Sequence, residues 1–297
     1  MKLTQRMLVL VLAGFSCLGT VFAQPAGKVM EEKLVKSSVM NRNVRYSIYL
    51  PPDYTSSERA YPVVYLLHGY TDDNTGWLQY GEVNRYADKA IADGTIPPMI
   101  IVMPDADSSW YINSYDGKEA YENFFIKEFI PVIEKSYRIK AEKKYRGIAG
   151  LSMGGYGTLI YALKYPSLFA AAAPLSAAVW DDTAMVSIPD EQWERTFAQL
   201  YGRGLKGTAR LSSAWNSNSV LKLIQTTPVE QLKTVRFWID CGDDDFLIKG
   251  NCLLNIALVE KAVPHEFRIR NGAHNWTYWR TGITDALKFI GDSFHQQ

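Results

Sequence analysis

A serine with the surroundings of a nucleophile lies near the middle of the chain, in the stretch Tyr145–Tyr165, which reads YRGIAGLSMGGYGTLIYALKY. The pattern Gly-x-Ser-x-Gly places Ser152 between a predicted strand, Tyr145–Ala149, and a predicted helix, Gly155–Lys164. In such a unit the sharp turn holds the hydroxyl clear of the backbone and against the positive end of the helix. The alternative interpretation is a glycine-rich turn in which the serine has no role.

A serine hydroxyl is a weak nucleophile, so this chemistry requires a neighbouring base, most often histidine. The chain has four histidines: His68, His265, His274 and His295. His274 follows directly after a predicted strand, at the sheet edge where Ser152 is also expected. We expect His68 to be structural. His265 opens a strand at the opposite edge, and His295 is the third residue from the C-terminus.

The third group of such a site is a carboxylate that orients the imidazole. Asp243, Asp244 and Asp245 follow the predicted strand that contains Asp240, and they precede His274. The order serine, aspartate, histidine is that of α/β-hydrolases. A solvated turn and a calcium loop are the alternatives, but calcium loops place their acids at alternate positions. Spacing does not choose among the three aspartates, and Asp240 is a fourth candidate.

Two backbone N–H groups usually stabilise the oxyanion that forms when such a serine attacks. One comes from the residue after the nucleophile, here Met153, and one from the loop after an earlier strand, here at Tyr70. This chemistry needs neither a metal ion nor a cofactor, and we expect none.

The elements that must position these groups alternate between strands and helices, which predicts an α/β fold with a mostly parallel sheet and helices on both faces. An antiparallel hairpin is predicted at the N-terminal side, with strands 29–38 and 44–50. The further predicted strands are 61–67, 99–103, 145–149, 169–175, 235–241 and 265–270. The predicted helices are 82–92, 119–135 with a bend at Pro131, 155–164, 191–200, 247–262 and 282–294.

Residues 1–23 have the features of a secretory signal peptide. Lys2 and Arg6 form a basic start, Met7–Val21 is apolar, and Val21–Ala23 is a small-residue cleavage site. An uncleaved membrane anchor is the alternative. We expect residues 24–297 to form a single α/β-hydrolase domain with an insertion at about 177–228, and we expect the protein to be secreted or periplasmic.

The composition is that of a globular protein, with 47% hydrophobic and 21% charged residues and a net charge of +1. Removal of Lys2 and Arg6 with the signal leaves a net charge of −1. We therefore expect no nucleic-acid partner and no membrane partner after signal cleavage. In an exported chain, Cys241 and Cys252 either form one disulfide or remain free.

The chain resembles the esterase D-like family of esterases, which includes feruloyl esterases of carbohydrate esterase family 1, S-formylglutathione hydrolases, short-chain tributyrin-type esterases and mycolyltransferases. The motifs that carry the resemblance are YLPPDY at 49–54, VVYLLHGY at 63–70 followed by Trp77, IIVMPD at 100–105, GLSMGGYG at 150–157, CGDDDFL at 241–247 and HNWTYW at 274–279. The resemblance implies that Asp245 is the acid, with Asp244 in reserve, and it supports Tyr70 and Met153 as oxyanion donors.

The function that these observations predict is ester hydrolysis through an acyl-enzyme. Trp110, Trp180 and Trp276 follow predicted strands and either border the cleft or pack in the core. With export, the resemblance favours feruloyl (hydroxycinnamoyl) esters of plant cell-wall polysaccharide as substrates. An acetyl-xylan or other short-chain acyl-carbohydrate esterase is the alternative. The non-enzyme alternative is a catalytically inactive exported binding module. That alternative predicts that a member of the triad is missing.

Overall fold

An eight-stranded mixed sheet forms the centre of the structure, a computed structural model that describes residues 26–294. The predicted signal peptide and His295 lie outside the described residues. The strand order is β1-β2-β4-β3-β5-β6-β7-β8. The strands are β1 Lys28–Ser37, β2 Arg42–Leu50, β3 Val63–Leu67, β4 Ile100–Pro104, β5 Arg146–Leu151, β6 Ala171–Leu175, β7 Arg236–Gly242 and β8 His265–Arg270.

Six of the strands are parallel to one another, from β4 through β3 and β5 to β8. The central strands are near-continuous apolar runs, and every residue of β3, β4, β5 and β6 is buried. Such runs occur where helices cover both faces of a sheet. β1 pairs antiparallel with β2, and β2 pairs antiparallel with β4. The predicted α/β fold with an antiparallel N-terminal hairpin is therefore confirmed.

Helices on the two faces enclose two hydrophobic clusters. They are α1 Gly76–Gln79, α2 Val83–Ala92, α3 Tyr121–Phe124, α4 Ile130–Ser136, α5 Met153–Lys164, α6 Asp182–Ser187, α7 Asp190–Thr196, α8 Ala198–Tyr201, α9 Ser213–Asn216, α10 Val220–Thr226, α11 Val229–Leu232, α12 Ile248–Glu260 and α13 Trp276–Ser293. A π-turn, Phe125–Phe129, joins α3 to α4, and 3-10 turns lie at Lys143–Tyr145 and Gly207–Arg210.

The segment predicted as one helix over 119–135 contains the π-turn, which ends two residues before Pro131. The N–H of Ile130 bonds to the carbonyl of Phe125, five residues earlier. Proline has no N–H to donate, so it cannot continue the regular ladder. The irregularity therefore lies just before the proline, as a widened turn in the helix.

The last helix begins at Trp276, six residues before the position predicted from periodicity. The side chain of Asn275 accepts a hydrogen bond from the N–H of Tyr278, and so caps the helix. The sequence pattern predicts a start at Gly282, but this glycine is a buried position inside the helix. The correction matters for the site, because His274 comes directly before this cap.

The segment between β6 and β7, which includes the predicted insertion, contains α6 to α11. Its core is aromatic, with Trp193 and Trp215 both buried. Arg210 is buried beside them, with its guanidinium 4.9 Å from the Trp193 ring centroid.

Cys241 and Cys252 are free thiols. Within residues 26–294, each helix is too short or too polar to cross a lipid bilayer.

A buried ion pair joins the ends of β7 and β8 near the start of α13. Asp240 is fully buried and accepts hydrogen bonds from Arg270 Nε at 2.7 Å and Nη2 at 3.2 Å. The hydroxyl of Tyr278 donates to the same carboxylate. A buried carboxylate is tolerated only when it is paired. This pair therefore fixes the relative position of the two loops that follow β7 and β8.

Replacing Arg270 with methionine should lower the free energy of unfolding by about 3 kcal/mol, because it leaves the Asp240 carboxylate buried without a cation. Arg268→Met is the matched control on the same strand. Arg268 pairs with Glu266 on the exposed surface, so its loss should cost less than about 1 kcal/mol. Equilibrium denaturation in urea measures both values, and equal losses for the two variants would contradict the role given to the buried pair.

Candidate active site

Ser152 occupies a one-residue turn between β5 and α5. The strand continues to Leu151 and the helix begins at Met153, so the turn is tighter than the predicted segment 150–154. Ser152 has φ 55° and ψ −113°, a conformation that non-glycine residues rarely adopt. The backbone is held there by the Ser152 N–H, which donates to the carbonyl of Leu175 at 2.9 Å.

Two glycines leave room for this turn. A Cβ atom on Gly154 would lie 2.4 Å from the carbonyl oxygen of Leu67, and one on Gly150 would lie 2.5 Å from the carbonyl oxygen of Gly154. Both distances are far below contact distance, so a side chain at either position would push β3 and β5 away from the helix. The glycines of the Gly-x-Ser-x-Gly pattern are therefore required by close packing.

His274 lies within hydrogen-bond distance of the serine and of a carboxylate. Its Nε2 is 3.0 Å from Ser152 Oγ. Its Nδ1 is 2.8 Å from Asp245 Oδ2 and 3.0 Å from Oδ1. The imidazole packs edge-on against Trp279 at a centroid distance of 4.8 Å, which holds the ring between its two partners. In this arrangement the imidazole can take the serine proton on Nε2 while Nδ1 donates to the carboxylate.

Asp245 is the member of the acidic run that reaches His274, and its carboxylate is buried. Burial raises the pKa of this carboxyl group, but the hydrogen bonds from His274 and from the N–H of Leu247, at 2.8 Å, outweigh burial and hold the pKa below its usual value. Asp244 is exposed. Asp243 accepts a hydrogen bond from the N–H of Gly272 at 2.8 Å.

Two backbone N–H groups close to Ser152 are candidates for binding an oxyanion. The N–H of Met153 is the first of α5, where the helix supplies no acceptor. In residues 26–294 no backbone carbonyl accepts from the N–H of Tyr70. Gly69 brings the Tyr70 loop to Ser152, since a Cβ on Gly69 would lie 3.8 Å from that of Ser152. Both predicted donors are therefore available beside the serine.

The buried side chain of His68 holds the Tyr70 loop in place. Its Nε2 accepts from the N–H of Ala106 at 2.8 Å, and its Nδ1 is 2.8 Å from the carbonyl of Gly69. Burial lowers the pKa of His68, which favours the neutral ring that these two bonds require. His265, at the start of β8, is hydrogen-bonded to Asn255 instead.

The three tryptophans predicted to border the cleft lie in two places. Trp110 and Trp180 pack against each other at a centroid distance of 5.3 Å, and Trp110 is 5.8 Å from the ring of Tyr70. Trp110 is buried and Trp180 is half-buried. Trp276 packs instead against Trp77 of α1, at 5.3 Å, among the residues of the second hydrophobic cluster.

Phe246 is a site residue that our sequence analysis did not single out. Its side chain is 75% exposed, and its ring lies 4.5 Å from the imidazole of His274. A groove of about 150 Å³ runs between Phe246 and Trp180. The available signal was a large apolar residue directly after a run of acids, where an exposed aromatic side chain needs a reason.

Comparisons with known proteins show that the chain is similar to esterases. A family model described as "Putative esterase" matches residues 37–290. Esterase Rv1288 of Mycobacterium tuberculosis is 30% identical over 258 residues, which is 80% of this chain and 54% of that protein. The endo-1,4-beta-xylanase/feruloyl esterase of Xylanibacter ruminicola is 38% identical over 130 residues, 41% of this chain and 18% of that protein. The chain spans about half the length of the first of these relatives.

A solved structure described as a ferulic acid esterase has the same fold. Its TM-score is 0.76 at 34% sequence identity, and the match covers 91% of this chain and 99% of that one.

Asp245→Asn should lower kcat for p-nitrophenyl acetate about 10⁴-fold, because an amide leaves the wrong tautomer of His274 facing the serine. Asp244→Asn is the matched control, since Asp244 is exposed and one residue away. It should keep kcat within a factor of about two, because surface substitutions rarely disturb a site. If Asp244→Asn lost most of its activity and Asp245→Asn stayed active, the orienting acid would be Asp244 and not Asp245.

Proposed function

This chain belongs to the putative esterase family, and we propose from that premise that it hydrolyses carboxylic esters with Ser152 as nucleophile, His274 as base and Asp245 as the orienting acid. The observation that carries the proposal is the continuous hydrogen-bonded chain from the serine hydroxyl through the imidazole to the buried carboxylate. None of the three members is missing, which counts against an inactive binding module.

Each half of the reaction uses the same three side chains. His274 Nε2 takes the hydroxyl proton as Ser152 Oγ forms a bond to the ester carbonyl carbon. The tetrahedral intermediate collapses, the bond to the alcohol breaks, and the alcohol leaves with the proton from Nε2. Water then repeats the attack on the acyl-enzyme, and the acid is released with Ser152 restored. Asp245 stabilises the imidazolium that forms in both halves.

The amides of Tyr70 and Met153 are expected to stabilise the negative charge on the carbonyl oxygen. One such donor contributes about 3 kcal/mol to transition-state stabilisation. The donors are held before substrate arrives, because the Met153 N–H is fixed by α5 and the Tyr70 loop rests on His68. Little reorganisation is therefore required during the reaction.

Feruloyl or other hydroxycinnamoyl esters of plant cell-wall polysaccharide are the proposed substrates. The half-buried rings of Tyr70 and Trp180, which flank the buried ring of Trp110, form an aromatic surface that suits a planar acyl group. Phe246, whose ring lies beside His274, lines a groove together with Trp180. The similar structure described as a ferulic acid esterase supports the same choice. An acetyl-xylan or other short-chain acyl-carbohydrate esterase is the second candidate, because the catalytic geometry does not depend on the acyl group.

We also propose that the protein is exported, on the basis of the basic start, the apolar run and the cleavage site within residues 1–23. Expression of the full chain in a bacterium should yield a periplasmic or secreted product whose first residue is Gln24, as determined by N-terminal sequencing. A product that stays in the cytoplasm and keeps Met1 would contradict export.

Ser152→Ala should reduce hydrolysis of methyl ferulate at least 10⁴-fold, because the remaining groups cannot form an acyl-enzyme. The purified wild-type chain should hydrolyse methyl ferulate with a higher kcat/KM than acetylated xylan. A fluorophosphonate probe should label the wild-type protein and not the variant, and circular dichroism checks that the variant is folded.

The outcomes separate the levels of the proposal. A folded and fully active Ser152→Ala variant would show that Ser152 is not the nucleophile. Preference for acetylated xylan over methyl ferulate would keep the mechanism and replace the substrate.

A further inference from the structure

A carboxylate without a partner lies beside the nucleophile, on the loop that follows the oxyanion donor Tyr70. A Cβ on Gly69 would be 3.4 Å from Asp72 Oδ2 and 3.8 Å from Ser152 Cβ, so the carboxylate and the serine flank the same glycine. Asp72 does not belong to the catalytic chain described above. Its position is therefore that of an additional polar group close to the nucleophile.

The environment of Asp72 is unfavourable for a charge. The side chain is half-buried, and burial together with the neighbouring charge of Asp73 raises the pKa of Asp72 to about 6. Within the described part of the chain it has neither a hydrogen-bond donor nor a cation. Asp73, by contrast, accepts hydrogen bonds from the N–H and the hydroxyl of Thr75, each at 2.7 Å. Asp72 is thus an unused acceptor held at a cost in stability.

Two aromatic side chains lie next to this carboxylate. Gly76 separates Asp72 from Trp276, since a Cβ on Gly76 would be 3.3 Å from Asp72 Cγ and 3.5 Å from Trp276 Cζ2. The ring of Tyr80 lies 5.7 Å from the Trp276 ring and is 53% exposed. A carboxylate beside partly exposed aromatic rings is well suited to a sugar, whose hydroxyl groups donate to the carboxylate while its C–H face packs on a ring.

This group lies apart from the aromatic surface assigned to the acyl moiety. Trp110 and Trp180 pack with the hydrophobic cluster on one face of the sheet, whereas Trp276 packs with the cluster on the other face. Ser152 stands between them, at the end of β5. An ester bound at Ser152 can therefore place its acyl and alcohol halves against different surfaces.

We propose that Asp72, Tyr80 and Trp276 form a subsite for the sugar that is the alcohol half of the ester. Asp72 accepts hydrogen bonds from hydroxyl groups of the sugar ring, and Tyr80 and Trp276 supply the surface on which the ring packs. The inference rests on the proposed hydrolysis of sugar esters and adds to it the residues that bind the leaving group.

The experiment compares two esters that share an acyl group and differ in the alcohol, methyl ferulate and a feruloyl ester of arabinose. The measured quantity is the ratio of kcat/KM for the arabinose ester to kcat/KM for the methyl ester. Asp72→Asn should lower this ratio about 10-fold, because a charged acceptor of sugar hydroxyls is lost. Tyr80→Ala should lower it in the same direction. Asp244→Asn, which removes an exposed charge on the loop after β7, should leave the ratio unchanged.

A ratio that Asp72→Asn leaves unchanged would overturn the subsite, and so would equal losses on both esters. Failure of the proposed function is recognised separately, from the wild-type protein alone. If wild type cleaves neither feruloyl ester, the same variants are compared on p-nitrophenyl acetate and acetylated arabinose, and the ratio of those two decides. If the wild-type protein cleaves none of the four esters, both the proposed ester hydrolysis and the subsite are contradicted.

Thermal unfolding at pH 8 gives a second readout that a structural role would not produce. Asp72→Asn should raise Tm, because it removes a half-buried charge that has no partner. A lower Tm would show that Asp72 stabilises the loop, and the subsite proposal would be overturned in favour of that role.

Discussion

The strained backbone of one residue, Ser152, is the constraint on which the rest of the site depends. A positive φ at a non-glycine residue costs about 1–3 kcal/mol, and it persists only when the surroundings hold it. Here the N–H of Ser152 is held by Leu175, and its carbonyl accepts hydrogen bonds from Tyr156 and Ala178 at 3.0 and 3.1 Å. The fully buried sheet and α5 offset the strain, so the hydroxyl stands at a fixed point above the strand ends.

The partners of the serine come from two loops that are tied to each other before they reach it. A Cβ on Gly242, the last residue of β7, would lie 2.1 Å from the carbonyl of Gly272, so the loops after β7 and β8 touch through their backbones. The N–H of Asp244 donates to Gly272 at 3.0 Å, and the carboxylate of Asp243 accepts from the Gly272 N–H. Two members of the acidic run therefore have different roles: Asp243 joins the two loops, and Asp245 orients His274.

Sequence patterns predicted the strands and the nucleophile turn, which have regular or well-defined motifs. They did not predict which way an individual side chain points. The apolar runs of the central strands and the Gly-x-Ser-x-Gly unit have strong signals, and both were found. Spacing could not choose among three consecutive aspartates, because a turn can direct any of them inwards. Spacing also left open whether Trp276 borders the cleft or packs in the core, because each helical residue is rotated by about 100° from the last. The turn of α13 therefore directs Trp276 towards Trp77, away from the Trp110 and Trp180 pair.

The two adjacent carboxylates of Asp72 and Asp73 show how stability and function separate. Asp73 is satisfied by Thr75 and closes the turn before α1, so its contribution is structural. Asp72 receives no such bonds, and its burial makes the ionised form costly. A fold optimised for stability alone would place a neutral side chain at this position. Since the residue flanks the same glycine as the nucleophile, the compensating interaction is best sought in the substrate, whose alcohol half is the part that the aromatic surface of Trp110 and Trp180 leaves without a partner.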